Sequence, residues 1–360
     1  MPAAALDELG LCWLLGNAPV PMGTASRVEF DAAFAFAVHA WQLSPTLVPR
    51  IVDWAGTAGE DQRIARLRAL AMATSALGAV QMTLCRRVAA DLEREDIPYC
   101  LLKGSAVRVT AYPNPADRCG LDVDIAVPTP YLAAAEQAIR DQGFVPASLL
   151  DGGRHFRLVD PEERAVVEAE HYELACLVRR QRLHDMPAAV RAAVEQSIEM
   201  VRPWHHDGDS LGCYVTLDVH HGLSLDIPVD EVVKGSRPAS GPDGQLRVPS
   251  VGWMLFHLIF KIYWEGAHNY RKGAYQYADL IRVLELADDE AVGQVLDLLE
   301  RYVLQAAGHY VLRRVPEEFR GRVPERLANF VRTARVAPDG VFPSDVNDVG
   351  DMWPKLWGHR

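Results

Sequence analysis

The spacing of apolar positions changes character twice along the chain. Over residues 61–95, Ile64, Leu67, Leu77, Leu84, Val88 and Leu92 recur at three-, four- and seven-residue intervals or near multiples of them, which predicts one long helix with a buried face. Residues 30–42, rich in alanine and apolar side chains, predict another. The charged turn Glu93-Arg94-Glu95-Asp96 closes this region, and Pro98, which has no N–H to give, blocks its continuation. Short strand-like runs then take over. Tyr99-Cys100-Leu101-Leu102 suits a buried strand, and residues 121–127, Leu-Asp-Val-Asp-Ile-Ala-Val, alternate with the period of two that a strand requires. Between them, residues 106–112 predict a helix ended by Pro113-Asn114-Pro115. Residues 131–142 predict a helix closed by Gly143. Residues 155–159 and 165–169 flank Asp160-Pro161-Glu162-Glu163 and predict a hairpin. A helix is expected over 187–200 and a strand over 214–219.

Beyond the glycine- and proline-rich stretch 235–249, helical spacing returns over 251–264, 274–286 and 291–312, and the tail after Arg335 reads as surface chain. The expected class is therefore α+β. A helical region (1–95) precedes a mixed core (96–234), and a second helical region (250–335) follows it.

Composition narrows the function classes. With 49% apolar and 24% charged residues the 360-residue chain has the balance of a soluble globular protein, enough for one large domain or two to three packed ones. Its net charge of −11 argues against broad binding to a phosphate backbone, which needs a field of Lys and Arg. The densest basic stretch, Arg179-Arg180-Gln181-Arg182, is short. The six cysteines (Cys12, Cys85, Cys100, Cys119, Cys176, Cys213) show no zinc or redox spacing, which predicts reduced, buried thiols and a cytoplasmic location. The apolar runs 9–15 and 253–260 are too short to span a bilayer, and no membrane partner is expected.

Candidate chemistry gathers in the mixed core. Side chains two apart on a strand share a face, so Asp122 and Asp124 stand side by side. Two such carboxylates repel unless protons or cations intervene, and magnesium prefers oxygen ligands while keeping room for substrate phosphates. The bland alternative is a strand with one solvated face. Upstream, a strand-like run stops at Lys103-Gly104-Ser105 where a helix is due to begin. Gly104 permits close backbone approach there, helix N-terminal N–H groups favour a phosphate, and the Ser105 hydroxyl adds a donor. Further on, Asp218 lies in the alternating run Tyr214-Val215-Thr216-Leu217-Asp218-Val219 and can complete an acidic set, while Glu168 and Glu170 in Val166-Val167-Glu168-Ala169-Glu170 compete for that place. His205-His206-Asp207 reads as surface loop, since adjacent residues rarely ligate one ion together.

Taken in order, Leu102-Lys103-Gly104, Tyr112-Pro113, Arg118, Asp122-Val123-Asp124-Ile125-Ala126-Val127 and Leu217-Asp218-Val219-His220 resemble the bacterial nucleotidyltransferase-like family of the DNA-polymerase-β-like superfamily. The resemblance covers residues 96–223 and the helical flanks only loosely. Asp218 stands where glutamate is usual, and Ser105 is closer to the wider superfamily than to this branch. It implies a polymerase-β-like palm, a small mixed sheet, and transfer of a nucleoside monophosphate from an NTP to an acceptor hydroxyl. Asp122, Asp124 and Asp218 are then the catalytic and metal residues for two Mg2+ ions, and Lys103, Gly104, Ser105 and Arg118 the nucleotide-binding ones. Arg118 is open to two roles, contact with triphosphate or bracing of the aspartate strand. His220 is likewise open to orienting Asp218 or contacting the acceptor. The expected acceptor is a small molecule. A toxin-like transferase acting on tRNA or protein, and a silent nucleotide- or metabolite-binding protein on the same fold, are the rival readings.

Overall fold

The computed structural model describes residues 47–55, 61–115, 118, 120, 122–150, 155–196, 204–207, 210–239, 245–264 and 274–333. The predicted helix over 30–42 and the tail after Arg335 lie outside them. The chain divides into two compact units, one comprising Gln42–Pro49 with Gly59–Pro249, the other Met1–Trp41 with Arg50–Ala58 and Ser250–Arg360.

In the first unit, the long helix expected from the apolar spacing spans Asp61–Arg94. We label it α2, after the short helix α1, Leu47–Ala55. Gln62–Arg94 is long and apolar enough to cross a membrane by length and composition. Its stripe Leu67, Leu77, Leu84, Val88 and Leu92 is buried, and it packs against sheet strands and two helices of the same unit. Midway, fully buried Gln81 donates to the Gly120 carbonyl and accepts from the guanidinium of buried Arg108. A buried charge needs such partners.

The strands are β1 (Cys100–Leu101), β2 (Asp122–Ala126), β3 (Val145–Leu150), β4 (His155–Leu158), β5 (Leu177–Leu183), β6 (Trp204–Asp207) and β7 (Ser210–His220). They form one mixed sheet in the order β1-β2-β7-β5-β3-β4, with β6 also paired to β7. Among the described residues, β2 and β7 are the parallel pair and every other pair in the sheet is antiparallel. Along β7 the positions Val215, Leu217 and Val219 alternate with Thr216, Asp218 and His220, so one face is apolar and the other carries chemistry. The helix α3 (Lys103–Ala111) follows β1, and α4 (Leu132–Asp141) follows β2. Gly143, just past α4, has φ +83, the left-handed conformation glycine adopts most cheaply at a helix end. This is an α+β fold consistent with a polymerase-β-like palm.

The structure corrects three local readings. Residues 165–169 are not the second arm of a hairpin. They belong to helix α5 (Pro161–Glu170), and strand β4 pairs with β3 instead. The reason is capping: the Asp160 carboxylate accepts from the Glu162 and Glu163 amides, and Pro161 opens the helix with its missing N–H where none is needed. The predicted helix over 291–312 is two, Asp289–Arg301 and Gln305–Arg313. The chain turns at Val303 (φ +56), where the Leu304 amide bonds back to the Leu299 carbonyl. Finally, His205 is not on a surface loop. It lies on β6, buried, stacked on Tyr214 at 4.5 Å and accepting from Arg180 Nε at 2.7 Å.

The second unit is built on the helix Val251–Trp264, apolar nearly all round, against which Ala274–Leu284, Asp289–Arg301 and Gln305–Arg313 pack. A helix without a polar face must be covered on all sides. Tyr263 accordingly meets Tyr310 edge-on at 5.3 Å in its core.

Candidate active site

The parallel register of β2 and β7 sets Asp124 directly beside Asp218 and Asp122 beside Thr216. Residues paired across a ladder share a face, as do residues two apart on one strand. Asp122, Asp124 and Asp218 therefore converge, and ligand oxygens from the three lie within 4.8 Å of one another.

Three short devices hold this cluster. The Leu102 amide bonds the Asp124 carbonyl at 3.0 Å, and the Asp124 amide donates to Ser105 Oγ at 3.1 Å. Ser105, buried at the start of α3, thus ties that helix to β2. Lys103 has φ +48, a strained conformation for a residue with a Cβ. Its Nζ lies 2.6 Å from Asp124 Oδ1 and 3.2 Å from His220 Nε2. Lastly, the Arg118 guanidinium lies against Gly104, where any Cβ would collide with it. That close approach is what the glycine permits.

The electrostatics follow from burial. Burial alone would lower the Lys103 pKa, but the charges of Asp124, Asp122 and Asp218 outweigh it and push it up. Burial, and then the charges of Asp122 and Asp124, push Asp218 up to about 8, with Lys103 only partly opposing them. Burial and the neighbouring Lys103 charge hold His220 below its usual range. Three carboxylates meeting at one point offer hard oxygen donors, a set that fits a divalent cation.

Two residues of this neighbourhood escaped the sequence reading. Glu173 Oε2 lies 3.3 Å from His220 Nδ1. Cys176 is close enough to Asp218 that burial, together with the carboxylate's charge, pushes its thiol upward. Neither lies in a periodic element, and the single bridge between Glu173 and His220 that brings the segment here is a tertiary event. The rival acids lie on α5. Glu168 bonds Arg164 Nε at 2.7 Å and accepts from the Ala175 amide, while Glu170 is the last residue of the helix.

Raised proton affinity has a consequence for stability. Asp218 binds its proton more tightly folded than unfolded, so its own contribution to metal-free stability is greatest at low pH and is lost as pH rises from about 4 to about 8. Asp218→Asn removes that titration. In EDTA, the variant is expected to melt about 5 °C above the wild type near pH 8, with a much smaller gain near pH 5. Melting curves that run parallel across this range would show that Asp218 carries no such repulsion.

A comparison with protein families matches residues 31–320 to the family described as uncharacterised nucleotidyltransferase. A search of curated proteins finds no match. The matched span includes every residue of the acidic cluster and its supports, and with it the chain belongs to this nucleotidyltransferase family.

Proposed function

We propose that this site moves a nucleoside monophosphate from an NTP to the hydroxyl of a small-molecule acceptor, releasing pyrophosphate, with magnesium as the metal. The observation that carries the reading is the meeting of Asp122, Asp124 and Asp218 from two parallel neighbouring strands in a chain of a nucleotidyltransferase family. These three carboxylates would hold the metal, which when bound supplies charge stabilisation for both the attacking and the leaving oxygens. The rest of the work falls to positioning and fixed charge. Lys103 and Arg118 place cations around Gly104, beside the first turn of α3, where terminal phosphates have N–H groups to meet. In this reading Asp218 is the carboxylate that takes the proton of the acceptor hydroxyl on one of its oxygens.

A small acceptor agrees with the charge distribution. The densest basic stretch lies along β5, where the two-residue period sends Arg180 and Arg182 to one face and Arg179 to the other. Arg179 bonds the Gln142 carbonyl, Arg180 bonds His205 and Arg182 bonds Ser210 Oγ. A continuous track for a polyanion would instead line up such residues. The test is magnesium-dependent pyrophosphate release across the four NTPs, with a metabolite pool in one arm and total tRNA in the other. Release in the metabolite arm is expected. Salt-sensitive labelling of tRNA would reassign the acceptor, and nucleotide binding without release in any arm would make the protein a silent binder.

A further inference from the structure

Where β5 ends beside the start of β7, the chain encloses a cavity of about 250 Å³. It is remote from the acidic cluster: β7 runs eight residues from Ser210 to Asp218, about 26 Å at the rise of a strand. Its wall includes Arg182 on β5, Ser210 on β7, Arg191 on the helix α6 (Ala188–Glu195), and the turn His184-Asp185-Met186 that joins β5 to α6. Arg182 Nε donates to Ser210 Oγ at 2.9 Å, and its Nη2 donates to the same oxygen. Arg191 Nη1 donates to the Met186 carbonyl at 3.0 Å. Both guanidiniums are thus fixed by neutral acceptors, which set their place without cancelling their charge. Arginines elsewhere in this unit meet carboxylates, as Arg157 does at Glu163 and Arg164 at Glu136. Among the described residues neither Arg182 nor Arg191 does so, and Asp185 in the same wall pairs with neither. Arg182 is exposed and Arg191 half-buried, so both are within reach of a ligand.

A serine hydroxyl has two lone pairs and one proton. Arg182 occupies both lone pairs of Ser210, so the Ser210 O–H is left to donate. A guanidinium carries five N–H groups and a permanent charge, and most of these N–H groups are still uncommitted on both arginines. The wall therefore holds a surplus of donors, with two fixed positive charges against the one carboxylate of Asp185. Two like charges brought together repel, and a bound anion relieves that repulsion. Phosphate is the anion whose oxygens match the guanidinium fork. The volume lies below the roughly 300 Å³ at which sites for drug-sized ligands begin, which favours a small ion over a whole nucleotide. We propose that this cavity binds a small phosphate-type oxyanion between Arg182 and Arg191, with the Ser210 hydroxyl as a third donor. The site stands apart from the transferase reading, since none of these residues belongs to the acidic cluster.

The test is a titration of the full chain with inorganic phosphate, in EDTA and at constant ionic strength. The side-chain Nε–H resonances of Arg182 and Arg191, assigned from the Arg182→Gln and Arg191→Gln variants, report on the cavity itself. Both are expected to shift along one saturable binding curve. In Arg191→Gln, the Arg182 signal should report affinity roughly 10- to 100-fold weaker, the range for losing a charge-assisted hydrogen bond. Arg191→Lys keeps the charge and loses the fork. It should lose less, and it serves in place of Arg191→Gln if that variant does not fold. Asp185→Asn removes the one opposing charge and should tighten binding roughly two- to five-fold. Absence of saturation, shifts that sodium chloride reproduces, or an affinity unchanged in both Arg191→Gln and Asp185→Asn would overturn the proposal. A parallel titration with adenosine monophosphate separates the two sources of phosphate. Equal or weaker binding supports the free ion, and tighter binding would overturn the small-anion assignment in favour of a nucleotide.

Discussion

Asp122→Asn is expected to abolish nucleotidyl transfer while leaving the fold intact. Asp122 is half-buried, like Asp218, and faces Thr216 across the ladder, so the amide keeps its shape and strand position. What it loses is a negatively charged oxygen donor. A hard divalent ion depends on such donors, and its charge stabilisation is worth several kcal/mol, which corresponds to a loss on the order of 10³-fold or more. Stability should move the other way. With one carboxylate neutralised, burial still raises the Asp218 pKa but the repulsion that adds to it declines. The expected outcome is therefore undetectable turnover beside a melting temperature, in EDTA, equal to or above that of the wild type. Near-wild-type turnover would remove Asp122 from the mechanism, and unfolding would mean that its carboxylate has a structural duty. Asp124→Asn is the less clean experiment, because Asp124 is also the partner of a buried ammonium.

The second large effect is on stability, at Lys103. Its side chain is 14% exposed and that of Asp124 3%, so their 2.6 Å pair is shielded from solvent. Removing one member of a buried pair strands the other, which typically costs about 3–5 kcal/mol. Lys103→Met keeps the length of the side chain and removes the charge that pairs with Asp124. In a unit of this size such a loss lowers the melting temperature by roughly 10 °C in EDTA. Backbone strain acts on a smaller scale: φ +48 at a non-glycine residue stores on the order of 1 kcal/mol, which Lys103→Gly would release. Both variants should be destabilised, glycine somewhat less than methionine on this ground, and magnesium should restore part of the loss by replacing the missing positive charge. A fall of less than about 1 kcal/mol would indicate that Asp124 is compensated by something other than Lys103.

The elements that depend on local pattern were legible in the sequence. Apolar spacing defined α2, Pro98 marked its end, and the alternation over 121–127 defined β2, because burial of one helical or strand face leaves a period that side chains must obey. The α+β class, the Asp122–Asp124 pair and the candidacy of Asp218 followed from that periodicity and from motif order. Capping was legible in principle and misread in practice: Asp160-Pro161-Glu162-Glu163 is a helix start whose β-branched continuation, Val166-Val167, imitates a strand. Tertiary structure decided the rest. The parallel register that seats Asp124 beside Asp218 joins residues far apart in the chain, and no local period encodes which strands become neighbours. The left-handed turn at Lys103, the Arg118 guanidinium over Gly104, and the approach of Glu173 and Cys176 to the cluster all arise at that same junction. They are contacts between segments, set by packing and by the need to compensate buried charge, and these act only once the chain has closed on itself.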